Sequence, residues 1–183
     1  MRAVLLVLVL GAFAATTAAA TAPPETQTTL KTLSVLNGAS FDVAFMRALI
    51  PVHDEAVEIA MAATLNADHT QVLKWNQAVV ERKSAEVRQM LGWLKQMGAP
   101  PAKRNAGIQT ASVKRMRSLK DAALEKAYLP LMAVHLEQSA SLAQLAAKKA
   151  NNPAVRSFAA SVVKKETADA AMLRSWLKGW YGK

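Results

Sequence analysis

There is no cysteine among the 183 residues of this chain. That excludes disulfides, thiolate-ligated zinc, iron–sulfur clusters and cysteine nucleophiles. Aromatic residues make up only 5%, glycine and proline occur seven times each, and histidine three times. Ala-rich apolar text with so few turn formers, and few β-branched runs beyond the first ten residues, argues for helix and against a sandwich or barrel. Any histidine chemistry is confined to His53, His69 and His135. Acids are scarce as well: 13 Asp and Glu stand against 23 Lys and Arg, for a formal charge of +10. No serine–histidine–acid arrangement or phosphate-cradling glycine loop is legible, and the chain reads as a non-enzyme.

What is present begins with Met1-Arg2, an apolar run from Ala3 to Phe13, and small residues through Ala20 and Ala22. This is the pattern of a cleaved secretory signal peptide, which places the mature chain in the periplasm or outside the cell. Thr16, Thr17 and Pro23-Pro24 weaken the alternative of an anchored span. Residues 1–22 are therefore assigned to the signal peptide, 23–38 to a flexible N-terminal segment, and 39–183 to the folded domain.

That domain repeats itself. Leu49-Ile50-Pro51-Val52-His53-Asp54-Glu55 matches Leu131-Met132-Ala133-Val134-His135-Leu136-Glu137 at an offset of 82. Val79-Val80 and Trp93-Leu94-Lys95 match Val162-Val163 and Trp176-Leu177-Lys178 at 83. Each half carries two apolar stripes at helical spacing, exemplified by Phe41, Phe45, Leu49, Val52, Ala56 and Ile59. Asn66-Ala67-Asp68 and Asn151-Asn152 mark the turns, with Pro153 at the first position of the following helix. Hairpin one covers 39–98 and hairpin two 119–183. Long stripes of this kind need partners, so the expected fold is all-α, a four-helix bundle of two repeated antiparallel hairpins.

The connection over 99–118 and the residues beside it carry Lys103, Arg104, Lys114, Arg115, Arg117 and Lys120, with no acid before Asp121. This basicity suits either a solvated linker or an anionic cell-envelope surface. Nucleic acid is excluded as a partner, since export separates the chain from it and no aromatic platform interleaves these charges.

Counting residues from each turn puts His53 level with Lys83 and His135 level with Glu166. Two neutral imidazoles and a carboxylate make a three-ligand site with an open position, suited to zinc, copper(II) or iron. Lys83 opposes a cation there, so the alternative is a Lys83–Glu166 ion pair in place of the metal. Met46 and Met90 should meet at another level, as core or as soft donors for copper(I). His69, at the first turn, is expected to cap a helix or face solvent. Pro51 and Pro130 should bend their helices near the two histidines.

Phe41-Asp42-Val43-Ala44-Phe45, Leu49-Ile50-Pro51-Val52-His53, then Glu86, Met90 and Trp93-Leu94, with the Trp180-Tyr181-Gly182 ending, resemble the exported domain-of-unknown-function 305 family. The resemblance spans about Phe41 to Gly182. It implies a ferritin-like four-helix bundle, some of whose members bind copper or silver outside the cytoplasm. It adds Glu86 and Met90 to His53, His135 and Glu166 as candidate metal ligands, with copper or another transition metal as the candidate cofactor. Where the family has Met-Ile-Pro-His-His, this chain has Leu49 and Val52, and the second copy has Val134; the usual glutamine is Lys83 in one half and Glu166 in the other.

Overall fold

The structure is a computed structural model that describes residues 23–182, so the signal-peptide assignment lies outside the described residues. In chain order the helices are α1 (Pro24–Ser34), α2 (Gly38–Thr64), α3 (Thr70–Gln96), α4 (Ala111–Ser118), α5 (Asp121–Lys149) and α6 (Pro153–Tyr181). No strand occurs among the described residues. The four long helices form the expected bundle, with α2/α3 and α5/α6 as its two hairpins. Local signals set their limits: Asn152 caps α6 by accepting from the Ala154 N–H, Pro153 opens that helix, and Gly182 closes it in the left-handed region.

The hairpins are related by a two-fold axis with an offset of 83. α2 and α5 start at 38 and 121, and α3 and α6 start at 70 and 153. Buried residues keep the same step, as in Phe41 with Leu124, Phe45 with Tyr128, Leu49 with Met132, and Val79 with Val162. Two carboxylates hold the halves together by the same symmetry. Buried Asp42 accepts from the Asn151 and Asn152 N–H groups, each at 2.8 Å, at one end of the bundle. Its counterpart at the other end, Glu125, accepts from the His69 N–H at 2.7 Å. Turn donors that would otherwise lack partners are thereby satisfied.

Symmetry extends to the backbone. Gly38 and Asp121, the first residues of α2 and α5, both have positive φ, 59° and 53°. Nothing lies within 4 Å of a Cβ at Gly38, so conformation alone constrains that position. Gly38→Ala should lower stability by about 1 kcal/mol in chemical denaturation, whereas Asp121→Gly should leave it unchanged or raise it by a few tenths.

Two stretches differ from the sequence reading. The 23–38 segment, read as flexible, contains α1, which starts with Pro24 in its first turn, buries Leu33 and packs on α2 and α5. Leu30, Leu33 and Leu36 repeat at the three-residue spacing that signals such a helix. The 99–118 connection contains α4, whose Thr110 cap accepts from the Val113 N–H and whose Val113 and Met116 are buried.

The apolar core is in two parts. One gathers Phe41, Phe45, Met46, Leu49, Met90 and Leu142; the other gathers Ile59, Val72, Val79, Leu124, Tyr128 and Leu173. Between them runs a buried polar layer to which each long helix gives one residue: His53, Lys83, Ser139 and Glu166.

Candidate metal centre

Four buried polar groups in one layer need partners, and they supply them to one another. The Lys83 ammonium contacts the Glu166 carboxylate directly. It also lies 3.1 Å from His53 Nε2 and 3.6 Å from Glu86 Oε2. An ammonium has three N–H donors, and here it faces three acceptors on three side chains. Because Nε2 faces this donor, His53 carries its own proton on Nδ1, which lies 3.2 Å from Glu86 Oε2 but out of line for a hydrogen bond. Ser139 Oγ adds a contact to Nε2 at 3.1 Å. Glu86, at the edge of the layer, is half-buried.

Burial dominates the electrostatics. Desolvation holds the His53 imidazole well below its usual pKa, with the nearby Lys83 charge acting in the same direction, so the ring is neutral at pH 7. Desolvation also lowers the Lys83 ammonium to about 7, against the opposing pull of Glu86. Beside the layer, Asp169 is buried and neutralised by Arg82 at 2.6 Å and Lys165 at 3.0 Å.

His53, Glu86 and Glu166 each offer one ligand atom within 4.8 Å of the others, an arrangement that fits a metal ion by donor type and spacing. One nitrogen and two oxygens suit a divalent ion such as zinc or copper(II) rather than copper(I). Three buried polar atoms of these residues, His53 Nδ1, Glu86 Oε2 and Glu166 Oε2, have no hydrogen-bond partner. Lys83 is the obstacle, because its three acceptors are these same three residues.

The other two candidate ligands lie elsewhere. His135 is on α5 one turn before Ser139, which is the α5 residue in the polar layer. Its Nε2 donates to the Val52 carbonyl at 2.9 Å, and the half-buried ring lines a 340 Å³ cavity with Glu25, Glu55 and Gln138. The reason is register. Helices that start 83 residues apart make Leu136 the counterpart of His53, and a one-residue slip turns a side chain by about 100°. The histidine match at 82 is therefore out of phase with the fold. Met90 is fully buried in the apolar cluster with Met46 and Phe45.

His69 is more than a cap. Besides its N–H bond to Glu125, its Nδ1 lies 2.6 Å from the same carboxylate, and its ring stacks on Trp180 at 3.8 Å. Tyr181 donates its hydroxyl to Glu125 at 2.7 Å. Burial alone would raise the Glu125 pKa, but the bonds from the His69 backbone, Tyr181 and the His69 ring outweigh it and lower the value. Glu125 was invisible in the sequence because an isolated acid at helical spacing resembles any solvated one. Its match to Asp42 at offset 83 is the signal that could have found it.

Comparison with known proteins agrees with this architecture. Residues 12–94 and 125–183 match the family described as domain of unknown function, DUF305. The chain belongs to DUF305. Among solved structures, a DUF305 protein from Streptomyces coelicolor described as secreted superposes with a TM-score of 0.68 at 19% identity, covering 75% of this chain and 91% of the other. CopM in its Cu(I)-bound form gives 0.68 at 17% identity, over 76% and 97%. Rv2844 from Mycobacterium tuberculosis gives 0.60 at 14%, over 75% and 97%. No curated protein matches the chain. At these identities the solved structures speak for the fold alone.

Proposed function

We propose that this chain is an exported, non-catalytic DUF305 bundle whose mid-bundle metal site is eroded, being held by the Lys83 ammonium. A divalent transition metal enters only when that ammonium is displaced. One observation carries the reading: the three side chains grouped as a metal site are the three that surround Lys83 Nζ. Below pH 7, where Lys83 holds its proton, a positive charge about 4 Å away opposes an incoming cation by about 4 kcal/mol per unit of ion charge at a partly desolvated site. The fold of CopM, which has been solved with Cu(I), Cu(II) and silver, supports a metal-handling ancestry. When bound, a divalent ion would take His53, Glu86 and Glu166 as ligands. It would be stored or passed on there, since one ion with an imidazole and two carboxylates lacks the ligands for two-metal oxidase chemistry.

Export rests on the N-terminal apolar run and on the family relative described as secreted. No helix among the described residues is long and apolar enough to cross a membrane.

Titration calorimetry with Zn(II) and Cu(II) at pH 6, where Lys83 is protonated, tests the reading. Lys83→Met should bind one ion at least about tenfold more tightly than the parent, and adding His53→Ala should abolish the gain. Equal affinity of parent and variant contradicts the displaced-ammonium reading. Absence of binding in both contradicts metal handling and leaves the second reading, which the direct Lys83–Glu166 contact favours: a metal-independent interaction bundle in which that ion pair replaces the site.

A further inference from the structure

The end of the bundle at the α2–α3 turn is built unlike the rest of the surface. Met61, in the last turn of α2, is 54% exposed, and Leu65, the residue that caps that helix, is 90% exposed. They share a helix face with Glu58, whose carboxylate accepts from the Gly107 N–H at 2.7 Å. The connection between hairpins therefore crosses this face, and α4 begins four residues later beside it.

Helix α4 turns Val113 and Met116 into the core and leaves Lys114, Arg115 and Arg117 exposed, followed by exposed Lys120. None of these four cations makes an ion pair among the described residues; Arg117 donates to the Gln109 amide instead. The Asp121 N–H bond to the Asn66 carbonyl, 2.8 Å, ties their end of the chain to the α2–α3 turn. At the same end Trp176 and Trp180 stack at 5.2 Å, Trp180 continues onto His69, and all three rings are half-buried. Lys126 lies over the adjacent Tyr181 ring at 5.0 Å. Glu125 is buried and already engaged, and the two exposed acids at this end, Asp68 and Asp121, are outnumbered by Lys114, Arg115, Arg117, Lys120 and Lys126.

We propose that this end of the molecule docks reversibly on an anionic phospholipid surface. Leu65 and Met61 would enter the acyl boundary, the tryptophans would sit at headgroup level, and Lys114, Arg115, Arg117 and Lys120 would meet the phosphates. Two apolar side chains are too few to hold the protein on neutral lipid, so attraction to anionic headgroups is required.

Vesicle co-sedimentation of the chain lacking residues 1–22, which keeps every described helix, tests this. Mixed phosphatidylglycerol and phosphatidylcholine vesicles should retain it at least about tenfold better than phosphatidylcholine alone, and high salt should release it. Met61→Glu with Leu65→Glu should weaken retention by about tenfold while the melting temperature holds, because both positions are exposed. Lys114→Glu with Arg115→Glu and Arg117→Glu should do the same. Equal retention on neutral vesicles, or none on anionic ones, overturns the proposal. So does full retention by the Met61/Leu65 variant together with equal capture on dextran sulfate beads, which would mean a charged face for any polyanion.

Discussion

Replacing Glu166 by Leu should destabilise the protein by about 3 kcal/mol at pH 6, and replacing Lys83 by Met in the same background should recover most of that loss. The first substitution leaves a buried ammonium without its carboxylate. The second removes the ammonium and leaves an apolar layer continuous with the two core clusters. Lys83→Met alone should also cost about 3 kcal/mol, since it leaves Glu166 buried beside an imidazole that burial keeps neutral. Urea denaturation of the four proteins yields the coupling energy. A value of about 2 kcal/mol or more is expected for direct contact, and additive effects would mean that the pair does not interact.

The second large effect is on pH. Lys83 titrates at about 7 in the folded protein against a reference value of 10.5. Below pH 7 both folded and unfolded chains hold the proton, and the folded state bears the full cost of the buried charge. Between pH 7 and about 10.5 the folded protein has released the proton while the unfolded chain still binds it, so stability rises with pH across that window. A displacement of this size corresponds to about 5 kcal/mol. The stability of the parent minus that of Lys83→Met, followed from pH 6 to pH 11, should therefore climb by several kcal/mol and then level off. A flat difference would place the Lys83 ammonium in solvent.

Lys83, Glu166 and His53 could be brought together from sequence because antiparallel helices of equal length convert distance from a turn into height along the bundle. Counting fixes height well and rotation poorly. His135 shows the limit: its motif resembles that of His53, yet the 82-residue match conflicts with the 83-residue step of the helix starts, and about 100° of rotation takes the ring to the Val52 carbonyl. Ser139, which does join the layer, has no motif to advertise it. Glu86 entered through family resemblance and adjoins His53 in the structure. Met90, placed by the same counting opposite Met46 as core or soft donor and named a candidate ligand by the resemblance, packs with Met46 in the core, where a methionine fills space as any apolar residue does. The α1 helix is faint in the sequence because three leucines at helical spacing are a short signal next to an apolar leader and a double proline. Asp42 and Glu125 illustrate a different limit, since each is explained only by a turn more than fifty residues away.

The Lys83–Glu166 contact also bears on how the hairpins choose their register. A buried pair in a bundle contributes little net stability over an apolar pair, because desolvation offsets most of the attraction. Its effect is to disfavour packings in which either charge meets an apolar neighbour. In this chain the pair joins α3 to α6, and with His53 and Ser139 it ties all four long helices at one height. The same side chains thus fix the height at which the four long helices meet.

In the proposed reading, Lys83 supplies the cation of a site which its neighbours would otherwise offer to a metal. Anomalous diffraction at the zinc edge, on crystals of the parent and of Lys83→Met soaked in zinc at pH 6, where the Lys83 ammonium is protonated, separates the two outcomes. A peak is expected between His53, Glu86 and Glu166 in the variant and none there in the parent. A peak in the parent at that position, with Lys83 still against Glu166, would contradict it.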